Sequence, residues 1–184
     1  MKSTNPKLLI ALIAVVALSL GLKVINPHKK YSTQQFWETA TVSTVATVPE
    51  KALKPGNKNG SVLMWAAMGA KDPAILKALV ERGADVNESD AIFGGTPITG
   101  AAGKSDEPEM IQVLVSLGAD VNKRVNNGET AAMVAAQYNK TSGIVEALDA
   151  AGADFGAKNN QGKTALDLAR EHGNSTVEKA LLAL

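Results

Sequence analysis

Catalysis and metal binding need titratable or ligating side chains at short spacings, and this chain supplies few. Cys is absent, which removes disulfides, thiolate nucleophiles and zinc-thiolate sites. The two histidines, His28 and His172, lie far apart, and neither has a second ligand at metal spacing. Glu107 with Glu109, or Asp149 with Asp154, could form a general acid/base pair, but helix-start charges and solvated faces explain them as well. Phe93-Gly94-Gly95-Thr96 lacks the G-x-x-x-x-G-K order of a phosphate loop. Trp65 could stack on a ligand, yet it falls among apolar helix positions, where packing is the simpler role. A net charge of +1 gives no electrostatic case for nucleic acid. The expectation is a chain with no catalytic residue, cofactor, metal or small-molecule substrate.

What does recur is architectural. Gly83-Ala84-Asp85-Val86-Asn87 returns as Gly118-Ala119-Asp120-Val121-Asn122 and, altered, as Gly152-Ala153-Asp154-Phe155-Gly156, at spacings of 35 and 34 residues. A second landmark recurs beside it: Ser61 to Ala67, Thr96 to Ala102, Thr130 to Ala136 and Thr164 to Arg170. The first residue of the second landmark precedes the glycine of the first by 22 residues in each of the three copies that have both. Two motifs repeating in register mean one unit stacked on copies of itself.

Each unit reads as helix, turn, helix, extended turn. Thr96 and Thr130 can cap a short first helix, and the pairs Ala101-Ala102 and Ala135-Ala136 let neighbouring helices approach closely. The second helix opens at Asp72-Pro73 and Glu107-Pro108, an acid before a proline, and at Ser142 and Ser175 in later copies. Apolar residues then fall at helical spacing: Ile75, Leu76, Leu79 and Val80; Met110, Ile111, Leu114 and Val115; Ile144, Val145 and Leu148; Val177, Ala180 and Leu181. Gly83, Gly118 and Gly152 stand where a left-handed residue closes a helix. Asp85, Asp120 and Asp154 belong to the turn that follows, so they are structural.

The unit resembles the ankyrin repeat, whose pattern runs G-x-T-P-L-H-x-A-A, a second helix, then G-A-D-V-N. The resemblance covers residues 57–184 as four repeats, about 57–90, 91–124, 125–158 and 159–184. It implies an all-α ankyrin-repeat solenoid of helix-turn-helix plus β-turn units, in a small bacterial-type protein. Only the second copy keeps Thr-Pro, and Met64, Thr99, Met133 and Asp167 replace the family's His. The first three copies carry one extra residue between their helices. Residues 31–56, with Phe36 and Trp37 and then Val42, Val45 and Val48, read as a degenerate capping repeat ending at Lys54-Pro55-Gly56; the alternative is an unstructured linker, against which the aromatics argue. At the other end Leu181, Leu182 and Leu184 have no following repeat in this sequence to cover them.

Ankyrin repeats bind other macromolecules through turn tips and the exposed edge of the first helices, so the resemblance implies a protein-binding module that is a monomer. By position the tips are Asp90, Ile92 and Phe93, then Arg124, Asn126, Asn127 and Glu129, then Lys158, Asn160, Gln161 and Lys163. The concave edge carries Met68, Lys104, Gln137 and Tyr138. Ile92 and Phe93, apolar where a solvated tip would be polar, are the leading anchor candidates, with Tyr138; the alternative is that Ile92 and Phe93 fold over the turn of the first repeat.

Residues 1–30 carry the address. Lys2 and Lys7 precede an apolar run from Leu8 to Leu22, the layout of a secretory signal or signal anchor. Extended through Lys23 to Ile25 as a helix, residues 8–25 reach roughly 27 Å, close to the roughly 30 Å hydrocarbon core. The expectation is an N-terminal transmembrane or signal helix: a single-pass inner-membrane protein with its repeats facing the periplasm, or a soluble periplasmic protein after cleavage near Ala17 to Gly21. Three readings are weighed for function: a tethered binding protein that scaffolds or inhibits an exported partner, a structural adaptor in an envelope membrane complex, and, least favoured, an enzyme. The sequons at Asn59, Asn87, Asn139 and Asn174 fall in turns that the repeat already explains.

Overall fold

The computed structural model describes residues 29–53, 61–90 and 94–184. They form a 3-10 turn, Lys29–Ser32, and eleven α-helices, with no strand among the described residues. Three short helices come first: α1 (Gln34–Trp37), α2 (Val42–Val45) and α3 (Glu50–Leu53). Four pairs follow: α4 (Val62–Gly69) with α5 (Ala74–Glu81), α6 (Pro97–Lys104) with α7 (Glu109–Ser116), α8 (Ala131–Tyr138) with α9 (Ser142–Ala150), and α10 (Ala165–Glu171) with α11 (Ser175–Leu181). No helix among the described residues is long and apolar enough to cross a membrane, and the expected membrane segment, residues 8–25, lies outside them.

First helices stack on first helices and second on second, α4-α6-α8-α10 and α5-α7-α9-α11, so the molecule is two layers deep. Ala66, Ala67, Ala101, Ala102, Ala135, Ala136 and Ala169 are buried along the first layer, and their small side chains permit the close approach. From the second layer Ile75, Leu76, Leu79, Met110, Ile111, Leu114, Ile144, Val145, Leu148 and Val177 are buried against it. This is the helical spacing read from the sequence; Val80, Val115, Ala180 and Leu181 are half-buried at its margin, while Leu182 and Leu184 are exposed.

The caps differ from expectation at several places. Ser61, Thr96 and Thr164 accept a hydrogen bond from the backbone three residues on, whereas Thr130 makes no cap bond and its hydroxyl is buried without a partner. Asp72 Oδ1 accepts from Ala74 N at 2.9 Å as foreseen, but the Glu107 carboxylate turns to Lys71. Ser142 and Ser175 are first helical residues; Thr141 and Asn174 hold the cap positions, and Asn174 alone of these two accepts from the helix.

Repeat is joined to repeat by hydrogen bonds as well as by packing. Gly83, Gly118 and Gly152 have positive φ, and each following Asp accepts from the backbone two residues on, closing the turn. Asn87 then grips the next turn: its Nδ2 donates to Gly118 O at 2.8 Å and its Oδ1 accepts from Asp120 N at 2.9 Å. Asn122 does the same to Gly152 O and Asp154 N. On the other side of the layer Asn139 Nδ2 reaches Ala102 O and Ser105 O, and Asn174 Nδ2 reaches Ala136 O and Asn139 O. The three described sequon asparagines therefore spend their amide groups on inter-repeat bonds.

Helices α1 and α2 extend the two layers by one unit toward the amino end, α1 packing on α4 and α2 on α5. Trp37 is fully buried and donates from Nε1 to Tyr31 O at 2.9 Å; Val45 and Val48 are buried beside it. A Cβ on Gly69 would lie 2.5 Å from Gln34 O, so this contact needs a glycine. Two details depart from expectation: Val42 is exposed, and α3, whose Ala52 and Leu53 are buried, adds a third short helix. Lys54, Pro55 and Gly56 lie outside the described residues.

Candidate functional site

Between the helix pairs one backbone bond recurs at three places. Asp90 N donates to Gly95 O, Val125 N to Glu129 O, and Asn159 N to Lys163 O, at 2.8 to 3.0 Å, each closing a short hairpin-like loop. The first loop is one residue longer than the others, which accounts for the 35-residue spacing there against 34 later. The second and third loops are tied together: Asn160 N donates to Asn127 O at 3.1 Å, and the Arg124 guanidinium donates to Lys158 O.

These loops and the first helices enclose a groove of about 380 Å³ on one side of the stack, within the ~300–1,000 Å³ usual for binding pockets. Met64 and Met68 of α4, with Val134 and Tyr138 of α8, form its walls, and Gly100 and Gly103 of α6 form its floor. The floor exists because those positions are glycine: a Cβ on Gly100 would stand 3.0 Å from Met64 Cγ and Met68 Cγ, and one on Gly103 2.9 Å from Val134 Cγ1. At the loop end Asp90, Asn126, Asn127 and Glu129 line it, and at the other end Lys104. Tyr138 is 52% exposed, with Lys104 Nζ 5.7 Å from its ring centroid and His172 set edge-on at 6.1 Å. Apolar walls with polar groups at both ends are what a peptide or side-chain ligand needs.

Seven of the residues expected to bind lie together on this groove: Met68, Asp90, Lys104, Asn126, Asn127, Glu129 and Tyr138. Arg124, Lys158, Asn160, Gln161 and Lys163 sit on the second and third loops outside it. Lys163 is paired with Glu171 at 2.5 Å. Gln137 is turned back to Met133 O of its own helix. Ile92 and Phe93 lie outside the described residues. Glu129, placed by sequence on a solvated tip, is instead nine-tenths buried at the base of its loop. Sequence reasoning missed Met64, Gly100, Gly103 and Val134. Gly100 and Gly103 carried a signal, since the equivalent positions on α8 are Val134 and Gln137.

Glu109, Asp149, Asp154 and His172 are exposed, and no group of His, Asp and Glu that could hold a metal ion occurs among the described residues. Trp65 is half-buried and packs against the core. Two carboxylates titrate below their ordinary range. Hydrogen bonds from the Thr164 backbone and hydroxyl lower Asp167, and the Lys163 ammonium, which bonds to Glu171, lowers that group. Both belong to the framework of the last repeat.

A family model described as ankyrin repeats (3 copies) matches residues 63–159 and 100–184. A search of curated proteins finds no match.

Proposed function

We infer, because the chain belongs to the ankyrin-repeat family and such repeats are protein-protein interaction modules, that its loops and groove hold another protein. The observation that carries the reading is the groove itself, a methionine- and glycine-lined slot open beside the exposed ring of Tyr138. In this reading residues 57–184 are four repeats, residues 31–56 a capping repeat, and residues 1–30 a signal anchor or signal peptide. The two lysines ahead of the Leu8 to Leu22 run support a tether to the inner membrane, and the stretch of only seven residues before that run supports repeats in the periplasm, scaffolding or inhibiting an exported partner.

Two measurements test it. Alkaline phosphatase fused after Leu184 is active if the repeats are exported and inactive if they stay inside. The tagged full chain, recovered from membranes, brings down a partner that Tyr138→Ala loses while its thermal unfolding is unchanged. Equal recovery by both forms would move the binding surface elsewhere. A partner that is itself an integral membrane protein would favour the structural-adaptor role.

A further inference from the structure

Glu129 is nine-tenths buried and lines the groove, yet its carboxylate accepts no hydrogen bond and joins no ion pair among the described residues. A carboxylate on a side chain so little exposed, with no partner of its own, is placed to receive a cation arriving from outside. A second carboxylate, Asp90, shares the same end of the groove; its Oδ2 is held by Gly95 N, so its position is fixed. The basic group of the groove, Lys104, stands at the opposite end over the Tyr138 ring. The acidic end adjoins the apolar slot directly: the point a Cβ of Gly95 would occupy lies 2.7 Å from Asp90 Oδ2 and 3.7 Å from Met64 Sδ.

Resting on the reading of this groove as a protein-binding site, we propose that its occupant is an extended peptide segment of a partner that places a large apolar side chain over Gly100 and an Arg or Lys two positions away against Glu129. In an extended chain, residues two apart face the same way, which suits an apolar slot continuous with an acidic pocket. Charge complementarity selects the basic residue. The glycine floor selects the large apolar one, because Gly100 leaves open the space between Met64 and Met68 that a side chain of its own would fill.

The test is selection of random twelve-residue peptides displayed on phage against the full chain, immobilised through a carboxyl-terminal tag. The expected result is enrichment of an apolar residue followed or preceded at two positions by Arg or Lys. The best peptide, made synthetically, loses at least tenfold in affinity when its basic residue becomes citrulline, and at least tenfold against Glu129→Gln. The two changes together lose no more than either alone, the sign of a direct pair. Gly100→Leu, whose Cβ would stand 3.0 Å from Met64 Cγ and Met68 Cγ and 3.4 Å from Met64 O, abolishes binding with thermal unfolding retained. Peptides that bind this groove without a basic residue, or losses that simply add, would overturn the cation site and leave the binding module standing. Peptides indifferent to Gly100→Leu would overturn the groove assignment, and no enrichment over an uncoated surface would overturn both readings.

Discussion

Thr130 keeps its hydroxyl in the core with nothing to bond to, at a position where its counterparts Ser61, Thr96 and Thr164 cap a helix. An orphaned buried hydroxyl costs about 1–3 kcal/mol, so Thr130→Val, close to it in shape, removes a penalty without opening a cavity. We expect the urea midpoint of unfolding to hold or to rise by up to about 1 kcal/mol in stability; a loss of more than that would mean the hydroxyl does cap the helix. Thr130 marks a limit of the sequence. The repeat pattern places a capping residue there, but whether a hydroxyl meets a backbone N–H is decided by tenths of an ångström that spacing does not encode. Glu129 is the same lesson with more at stake, since its neighbours Asn126, Asn127 and Gly128 all say solvated turn, while its own side chain folds under the loop.

At the scale of the element, the helices were legible and their ends less so. Apolar spacing placed all four second helices, because burial of one face sets a period that side chains cannot escape. Start signals misled where Asn competed with Ser: Asn174 accepts from Val177 N at 3.3 Å while bridging to the preceding repeat, which makes it a cap and an inter-repeat bond at once. The first layer depends on small residues, and Ala102 is fully buried between neighbouring helices. Ala102→Leu overpacks that interface and costs about 1–3 kcal/mol, whereas Gln161→Ala on an exposed loop changes stability by less than about 0.5 kcal/mol; denaturant unfolding of the pair checks the register.

The last repeat also carries a pH signature. Asp167 accepts from Thr164 N at 2.9 Å and from its hydroxyl at 2.8 Å, which lowers its pKa below the ordinary 3.8. A carboxylate lowered by folding adds stability that is present above its unfolded pKa and lost as the pH falls through the folded one. Asp167→Asn therefore destabilises the protein at neutral pH and makes its unfolding less sensitive to acid below about pH 4. An unchanged acid limb in thermal melts recorded from pH 3 to 7 would remove Asp167 from that role.

For the molecule as a whole, stability accumulates from one repeat interface to the next, and the same stacking builds the groove, since no single unit contains it. The period disclosed the repeat, and the ankyrin resemblance, which marks turn tips and the first-helix edge, disclosed seven of the groove residues. Neither disclosed the groove's shape, which depends on glycines at 100 and 103 facing side chains from the neighbouring repeats on either side. We propose that partners meet this protein on the groove side and not on the outer layer of helices. A photo-crosslinking amino acid at Tyr138, exposed beside the groove, should join the full chain to a single protein in the cells that make it; at Lys77, exposed on outer-layer α5, it should give none. Adducts from Lys77 and none from Tyr138 would place the binding surface on the outer layer instead.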